Sequence, residues 1–225
     1  MEHKGTKELR TERLLLRRFT PADAQAMYDN WACDAQVTRF LTWQPHASPE
    51  ATAALLAGWC ESYARPSYYN WTLEYERRPV GNISVVRLDE AASCAELGYC
   101  LGRAYWGRGL MAEAASAVIG FLFDEAGVRR VCISHAVGNP ASGRVAQKCG
   151  LTFVETRPPA CRTSVERLHD EWRGKQGAKK PEGRKNAFGR ARAPVTITRR
   201  RRAVNAFSKR GLEKQCNLCD LHIVF

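Results

Sequence analysis

The chain has 225 residues, of which 44% are hydrophobic and 26% charged, which fits a soluble globular protein with room for one domain of ordinary size and an appendage. No apolar run approaches the ~20 residues that a bilayer span needs, and Met1–Arg10 is charged without an apolar signal core, so the expectation is a cytoplasmic chain with no membrane partner. The formal net charge of +12 is confined to one end. Residues 1–172 hold 20 Lys and Arg against 20 Asp and Glu, whereas residues 173–225 hold 15 against 3, so basicity says nothing about what the first part acts on.

Along the chain, Glu12 to Phe19 reads as a strand. Thr20-Pro21-Ala22-Asp23 is a helix start, with a capping hydroxyl, a proline at the first helical position and an acid in the first turn; the helix should run to about Trp31. Ser48-Pro49-Glu50 repeats the signal before a helix of about 13 residues carrying Leu55, Leu56 and Trp59. Tyr69–Tyr75 and Val80–Leu88 form a hairpin around Glu76–Pro79, and Ala95–Leu101 is the next strand. Leu110, Ala114, Ala117, Val118, Phe121 and Leu122 fall at helical spacing, so a helix spans Leu110 to about Glu125 and ends at Gly127. Arg130–Val137 is a strand, and Pro140–Cys149 a short helix closed by Gly150. This order predicts a layered α/β domain with helices on both faces of its sheet.

Nine cysteines, at 33, 60, 94, 100, 132, 149, 161, 216 and 219, are odd in number and mostly lie inside apolar runs, as small core residues do in a reducing compartment. The pair Cys216 and Cys219 has no second pair and only His222 nearby, a weak zinc signal; no metal site is expected.

The stretch Tyr105 to Ala114 carries the chemistry. Gly107 and Gly109 let the backbone turn tightly between a strand and a helix, and the helix start at Leu110–Ala112 leaves unpaired N–H groups at the positive end of the dipole, a phosphate-binding arrangement. A plain strand-to-helix turn would also explain the glycines. A nucleotide-hydrolysing P-loop is excluded because Leu110-Met111 stands where Lys-Ser/Thr is needed, and a dinucleotide fingerprint because a third glycine and the distal acid are missing. A diphosphate cradle without a metal-binding hydroxyl remains.

The chain resembles the GNAT superfamily of N-acetyltransferases, in its ribosomal-protein-alanine acetyltransferase-like branch. The likeness runs through Thr11–Leu14, Asp23-Ala24, Gly81–Ile83, Ala95–Tyr99, Trp106–Ala114 and Asn139–Leu151, in the family's order over about 140 residues. It departs in the cradle, where the family's first, fourth and sixth positions (Gln or Arg, Gly, Gly or Ala) are Trp106, Gly109 and Met111. The resemblance implies a mixed, mainly antiparallel sheet with helices on both faces over residues 9–172, clear to about 153, followed by an irregular basic tail at 173–225. It implies that acetyl-CoA is the co-substrate, its diphosphate held by the amides of Gly107, Arg108, Gly109, Leu110, Met111 and Ala112 beside Trp106, with a charge contact from Arg108. The acceptor is then a primary amine, a protein N-terminus or a small molecule.

Glu96, an acid among apolar neighbours on the strand before the cradle, is the candidate base, acting through water; an ion pair with an arginine is its structural alternative. Ser142 is the candidate proton donor to the coenzyme A thiolate with Tyr99 as substitute, and Asn139 the partner of the pantetheine arm, although Asn-Pro-x-Ser is also an ordinary helix start. Glu113 reads as structural, His135 as a satisfied core residue, and most of Trp31, Trp43, Trp59, Tyr68, Tyr69 and Trp71 as core.

Beyond Phe153 the likeness fades, and only Leu168–Trp172 is similar to the family's closing segment. The tail admits three readings: a disordered basic arm contacting RNA or a ribosome, an ordinary solvated tail, or out-of-frame translation that replaces the closing strands. The last predicts a sheet with an exposed edge and a poorly formed thioester slot. An RNA- or ribosome-binding protein with an idle coenzyme A domain is the alternative function, and a homodimer is an open partner.

Overall fold

Stretches rich in β-branched, leucine and aromatic residues build one mixed sheet in the computed structural model, which describes residues 1–157 and 169–175. Its strands are β1 (Leu9–Arg10), β2 (Leu14–Arg17), β3 (Asn70–Tyr75), β4 (Arg78–Asp89), β5 (Cys94–Leu101), β6 (Arg130–Ala136), β7 (Thr152–Arg157) and β8 (His169–Lys175). They lie in the order β1-β2-β3-β4-β5-β6-β8-β7, and every neighbouring pair is antiparallel except β5 with β6. Glu76 and Arg77, with φ of 49° and 61°, make the tight turn between β3 and β4.

The helices are α1 (Ala24–Met27), α2 (Ala35–Thr38), α3 (Pro49–Ser62), α4 (Leu110–Asp124) and α5 (Pro140–Lys148). Two buried clusters show that both sheet faces are covered. Met27, Trp31, Leu56 and Trp59 pack with Phe19 and Cys100 on one side. Leu110, Ala114, Val118 and Leu122 of α4 pack on Leu16, Trp71, Ile83 and Leu97 on the other. Leu110, Val118 and Leu122 are at most 1% exposed, each contributing about 1.5–3 kcal/mol by burial.

The single helix expected from Thr20 to Trp31 is three pieces: a 3-10 turn at Pro21–Asp23, α1, and a π turn at Tyr28–Ala32 in which Cys33 N donates to Tyr28 O at 3.2 Å. Asn30 Nδ2 in that turn donates to Pro79 O at 2.7 Å, anchoring it to β4. The short α2 has no counterpart in the sequence reading.

The sheet does not end at β6. Strand β8 pairs with β6 from Arg130↔Lys175 to Ala136↔His169, and β7 pairs with β8. The expectation that out-of-frame translation leaves the sheet without closing strands is therefore corrected. Trp172 on β8 packs its ring edge-on to Phe153 at 5.7 Å and donates Nε1–H to His135, so the segment is fitted to the domain. Because β8 runs to Lys175, a boundary at 172 would fall within a strand. The readings placed on the tail beyond 175, including the basic arm and the Cys216–Cys219 pair, lie outside the described residues.

A partly buried ion network centred on the buried Asp23 ties the entry to α1 onto the sheet. Arg17 Nη1 and Nη2 donate to the two carboxylate oxygens of Asp23 and Nε to Glu74 Oε2, all at 2.8 Å, while Thr20 N donates to Asp23 Oδ2 at 2.7 Å. Burial favours protonation of Asp23, but the hydrogen bonds from Arg17 and Thr20 outweigh it and hold the carboxyl below its ordinary range. The folded state then binds fewer protons than the unfolded one, so this stabilisation is present above the unfolded value and is lost as pH falls through the folded one. Asp23→Asn is expected to destabilise the protein by about 2–3 kcal/mol at neutral pH, with a deficit that shrinks below about pH 4. Denaturant titrations across pH check this; a deficit independent of pH contradicts it.

Candidate active site

Strands β5 and β6 pair in parallel from Cys94↔Arg130 to Leu97↔Ile133 and no further, although β5 continues to Leu101 and β6 to Ala136. The two strands diverge, and a cavity of about 610 Å³ opens between them, a size that accommodates a small-molecule ligand. Main-chain groups of the diverging edges face that gap instead of each other. The parallel crossover passes through α4, which brings the N-terminus of that helix to the carboxyl end of β5, at the cavity's edge.

The loop into α4 has the shape expected of a cradle. Gly107 and Gly109 have φ of +77° and +80°, and Gly109 is the N-cap of α4. The first helical bond runs from Glu113 N to Gly109 O at 3.1 Å. The main-chain N–H groups of Gly107, Arg108, Gly109, Leu110, Met111 and Ala112 have no hydrogen-bond partner among the described residues. Trp106, Gly107, Gly109 and Ala112 line the cavity, whereas Leu110 and Met111 turn their side chains into the core and offer only main-chain donors. Trp106 Nε1 donates to Leu101 O at 2.6 Å, holding the indole at the rim. The Arg108 guanidinium lies 5.5 Å over the Tyr105 ring and does not line the cavity.

Glu113 braces the loop. Its carboxylate accepts from Thr11 Oγ1 at 2.6 Å, from Arg13 N at 3.0 Å and from Arg13 Nε at 2.8 Å, and Arg13 Nη1 donates to Arg108 O at 3.0 Å. Burial opposes its charge, yet the bonds from Thr11 and Arg13 prevail and hold the carboxyl below its ordinary range. This carboxylate is structural.

Tyr99 and Ser142 are brought together at the gap: their hydroxyls are 2.8 Å apart, and Tyr99 Oη also lies 3.2 Å from Ser142 O. Burial pushes the Tyr99 phenol well above its ordinary range, so it stays protonated at neutral pH. Asn139 is the N-cap of α5, with Oδ1 accepting from Ser142 N at 3.3 Å, and it lines the cavity. Glu96 is placed differently. It does not line the cavity, lies directly across from Arg87 in register, and pairs with that guanidinium at 3.0 Å. It shares its face of β5 with Gly98 and Cys100, both of which line the cavity. His135 is buried and satisfied: Trp172 Nε1–H donates to Nε2 at 3.0 Å, leaving Nδ1–H to donate to Ala136 O at 2.9 Å.

On the side opposite α5 the wall comes from α2 and the turn after it: Gln36, Val37, Phe40, Leu41 and Thr42. None of Trp31, Trp43, Trp59, Tyr68, Tyr69 or Trp71 lines the cavity. The sequence signal that could have found α2 is Asp34, whose Oδ1 caps it by accepting from Gln36 N at 2.8 Å. Among the described residues no group of three or more His, Cys, Asp or Glu is placed to hold a metal ion, and no helix is long and apolar enough to cross a membrane.

Diverging parallel strands, a helix start with free amide donors beside them and a hydroxyl pair at the gap define the site of a transferase that takes an acyl group from a diphosphate-bearing carrier. Residues 13–152 match the family model described as Acetyltransferase (GNAT) domain, and the chain belongs to that family as an acetyl-CoA-dependent N-acetyltransferase. It is 28% identical over 145 residues to the uncharacterized N-acetyltransferase YoaA of Bacillus subtilis (strain 168), covering 64% of this chain and 81% of that one. It is also 28% identical over 152 residues to the [Ribosomal protein uS5]-alanine N-acetyltransferase of Escherichia coli (strain K12), covering 64% and 77%. The fold is shared with a ribosomal L7/L12 alpha-N-protein acetyltransferase solved in complex with coenzyme A, at 20% identity and a TM-score of 0.69, over 77% of this chain and 100% of the other.

Proposed function

We propose that the acceptor is the α-amine of a protein or peptide and that transfer is direct, without an acyl-enzyme. One observation carries this reading: among the described residues the cavity is lined by no carboxylate. A slot of that kind has no counter-ion for a lysine or polyamine ammonium and suits an amine that is already partly neutral. An α-amine with a pKa of about 7.7–8.0 is about a tenth neutral at pH 7, and a lysine with a pKa of about 10.4 only about 0.04%. The Escherichia coli relative, by its name an N-acetyltransferase of an alanine on ribosomal protein uS5, supports this choice.

In this mechanism the amides of residues 107–112 hold the diphosphate of acetyl-CoA, with Asn139 along the pantetheine arm. The amine reaches the thioester carbonyl from the Phe40–Leu41 side. Its nitrogen forms the new C–N bond, the C–S bond breaks, and the thiolate takes a proton from Ser142, which Tyr99 backs. The proton released by the amine leaves through water, with Glu96, outside the cavity on the same face of β5 as Gly98 and Cys100, as the receiving base, and solvent returns a proton to the Ser142–Tyr99 pair. The six described cysteines are all free thiols, which supports a reducing, cytoplasmic setting.

A panel of peptides with a free α-amine, the same peptides α-blocked but carrying lysine, and a polyamine tests the reading by thiol release at pH 7. The α-amine peptides are expected to show kcat/KM about 100-fold or more above the others. A lysine or polyamine as the better acceptor overturns it.

A further inference from the structure

Two walls of the cavity meet at one point. Phe40, in the turn after α2, lies against Gly138, in the turn between β6 and α5. A Cβ added at Gly138 would meet Phe40 Cε1 at 3.4 Å and Cζ at 3.9 Å, the only described atoms beyond its chain neighbours within 4 Å. Gly138 is outside the left-handed region, so its backbone does not call for glycine; the ring takes the space of a side chain. The wall that carries the ring is fixed at both ends. Asp34, which caps α2, pairs through its second carboxylate oxygen with Arg103 Nε at 3.0 Å. His46 N donates to Ala32 O at 2.9 Å and closes the loop behind the ring. The Arg39 guanidinium sits 5.1 Å from the ring centroid. This bridge stands four residues before Ser142, on the side from which the amine reaches the gap, and Val37 and Leu41 continue it as an apolar wall.

We infer that Phe40 and Gly138 together set the size limit for the acceptor's first side chain, so that the acceptors are α-amines on glycine, alanine or serine. This rests on the α-amine reading of the proposed function. The attacking nitrogen is one bond from Cα, so the first side chain enters with it and lies beside the ring. A hydrogen, a methyl or a hydroxymethyl group passes. A branched or aromatic side chain needs the volume that the ring occupies, in a wall held by the Asp34–Arg103 pair and the His46–Ala32 bond. A charged first side chain would find no counter-ion on this wall, where Gln36 and Thr42 are the polar members. Both residues act by excluding volume and take no part in proton transfer.

Peptides identical except for alanine, leucine or phenylalanine at the first position, with an α-blocked lysine peptide as control, test this by thiol release. They are compared in the wild type, Phe40→Ala, Phe40→Leu and Phe40→Ala/Gly138→Val. The wild type is expected to favour alanine over phenylalanine by about 100-fold in kcat/KM. That ratio should fall to about fivefold or less in Phe40→Ala and lie between in Phe40→Leu. It should rise again in the double variant, where valine refills the space from the opposite wall. Because the ratio is read within one protein, a general loss of activity does not imitate the effect, and calorimetric titration with acetyl-CoA checks that each variant is folded. A wild type indifferent to the first side chain, or a ratio in Phe40→Ala equal to that of the wild type, overturns the size limit while the α-amine reading stands. A double variant no more selective than Phe40→Ala removes Gly138 from the device. Preference for the blocked lysine peptide overturns the α-amine reading and the size limit with it.

Discussion

Gly109→Val is expected to weaken acetyl-CoA binding by about 100- to 1,000-fold while leaving most of the protein folded. The glycine sits at φ +80° and caps α4, and the nearest atom to an added Cβ is Arg13 Nη2 at 3.7 Å. Space is available; the conformation is not. A residue with a side chain costs about 1–2 kcal/mol in the left-handed region, and a β-branched one more, so the loop relaxes by turning φ negative. That rotation re-aims the amides of Gly107 to Leu110 away from a common point. Each hydrogen bond to a charged partner is worth about 1.5–3 kcal/mol, so losing two of them accounts for the expected drop. The melting temperature should fall only a few degrees, because the Thr11–Arg13–Glu113 bracing and the α4 core remain. Gly58, exposed on α3 with no atom within 4 Å of an added Cβ, supplies the control: Gly58→Ala should keep full affinity. Calorimetric titration with acetyl-CoA decides, and wild-type affinity in Gly109→Val would count against the cradle.

Removing the hydroxyl pair should act on turnover and not on binding. Ser142→Ala is expected to lower kcat about 100-fold with KM for acetyl-CoA within about twofold, since a positioned acid contributes about 10²–10⁴-fold. Tyr99→Phe should cost a similar factor, and the double variant little more than either single one, because two hydroxyls 2.8 Å apart act as one donor unit. The raised pKa of Tyr99 gives a second readout. Its proton stays on throughout the working range, so the wild-type rate should climb as the acceptor amine loses its proton and show no alkaline fall attributable to this phenol. Additive losses in the double variant, or a KM effect as large as that on kcat, would assign the pair to binding instead.

Part of the local geometry around the cavity was legible in the sequence. Positive φ at Gly107 and Gly109 follows from residue type at a strand-to-helix junction, and free amides follow from any helix start, so the cradle could be placed to the residue. Tyr99, Ser142 and Asn139 stand out as candidates only through the family resemblance, and that they meet depends on how far β5 and β6 diverge. Glu96 shows the limit. An acid between alanine and leucine on a strand has one of two faces, and only the register with β4 reveals that Arg87 stands opposite. The wall made by Val37, Phe40 and Leu41 was missed because a four-residue helix has no measurable period, and its role comes from lying across the gap from residues about 100 positions later.

Local chemistry thus determined most of the elements and the turn into α4, because caps, turn glycines and apolar periodicity act over a few neighbouring residues, whereas the family was legible only through the resemblance of blocks spread over about 140 residues. Tertiary structure decided three things that depend on distant pairing. It placed β8 on β6 and β7 on β8, where the sequence likeness had faded, with Trp172 reaching His135. It set Glu96 against Arg87. It also turned Arg144 and Lys148 to the wall of the cavity, since which face of α5 meets the cavity is fixed by packing on α4 and the sheet and not by the helix itself.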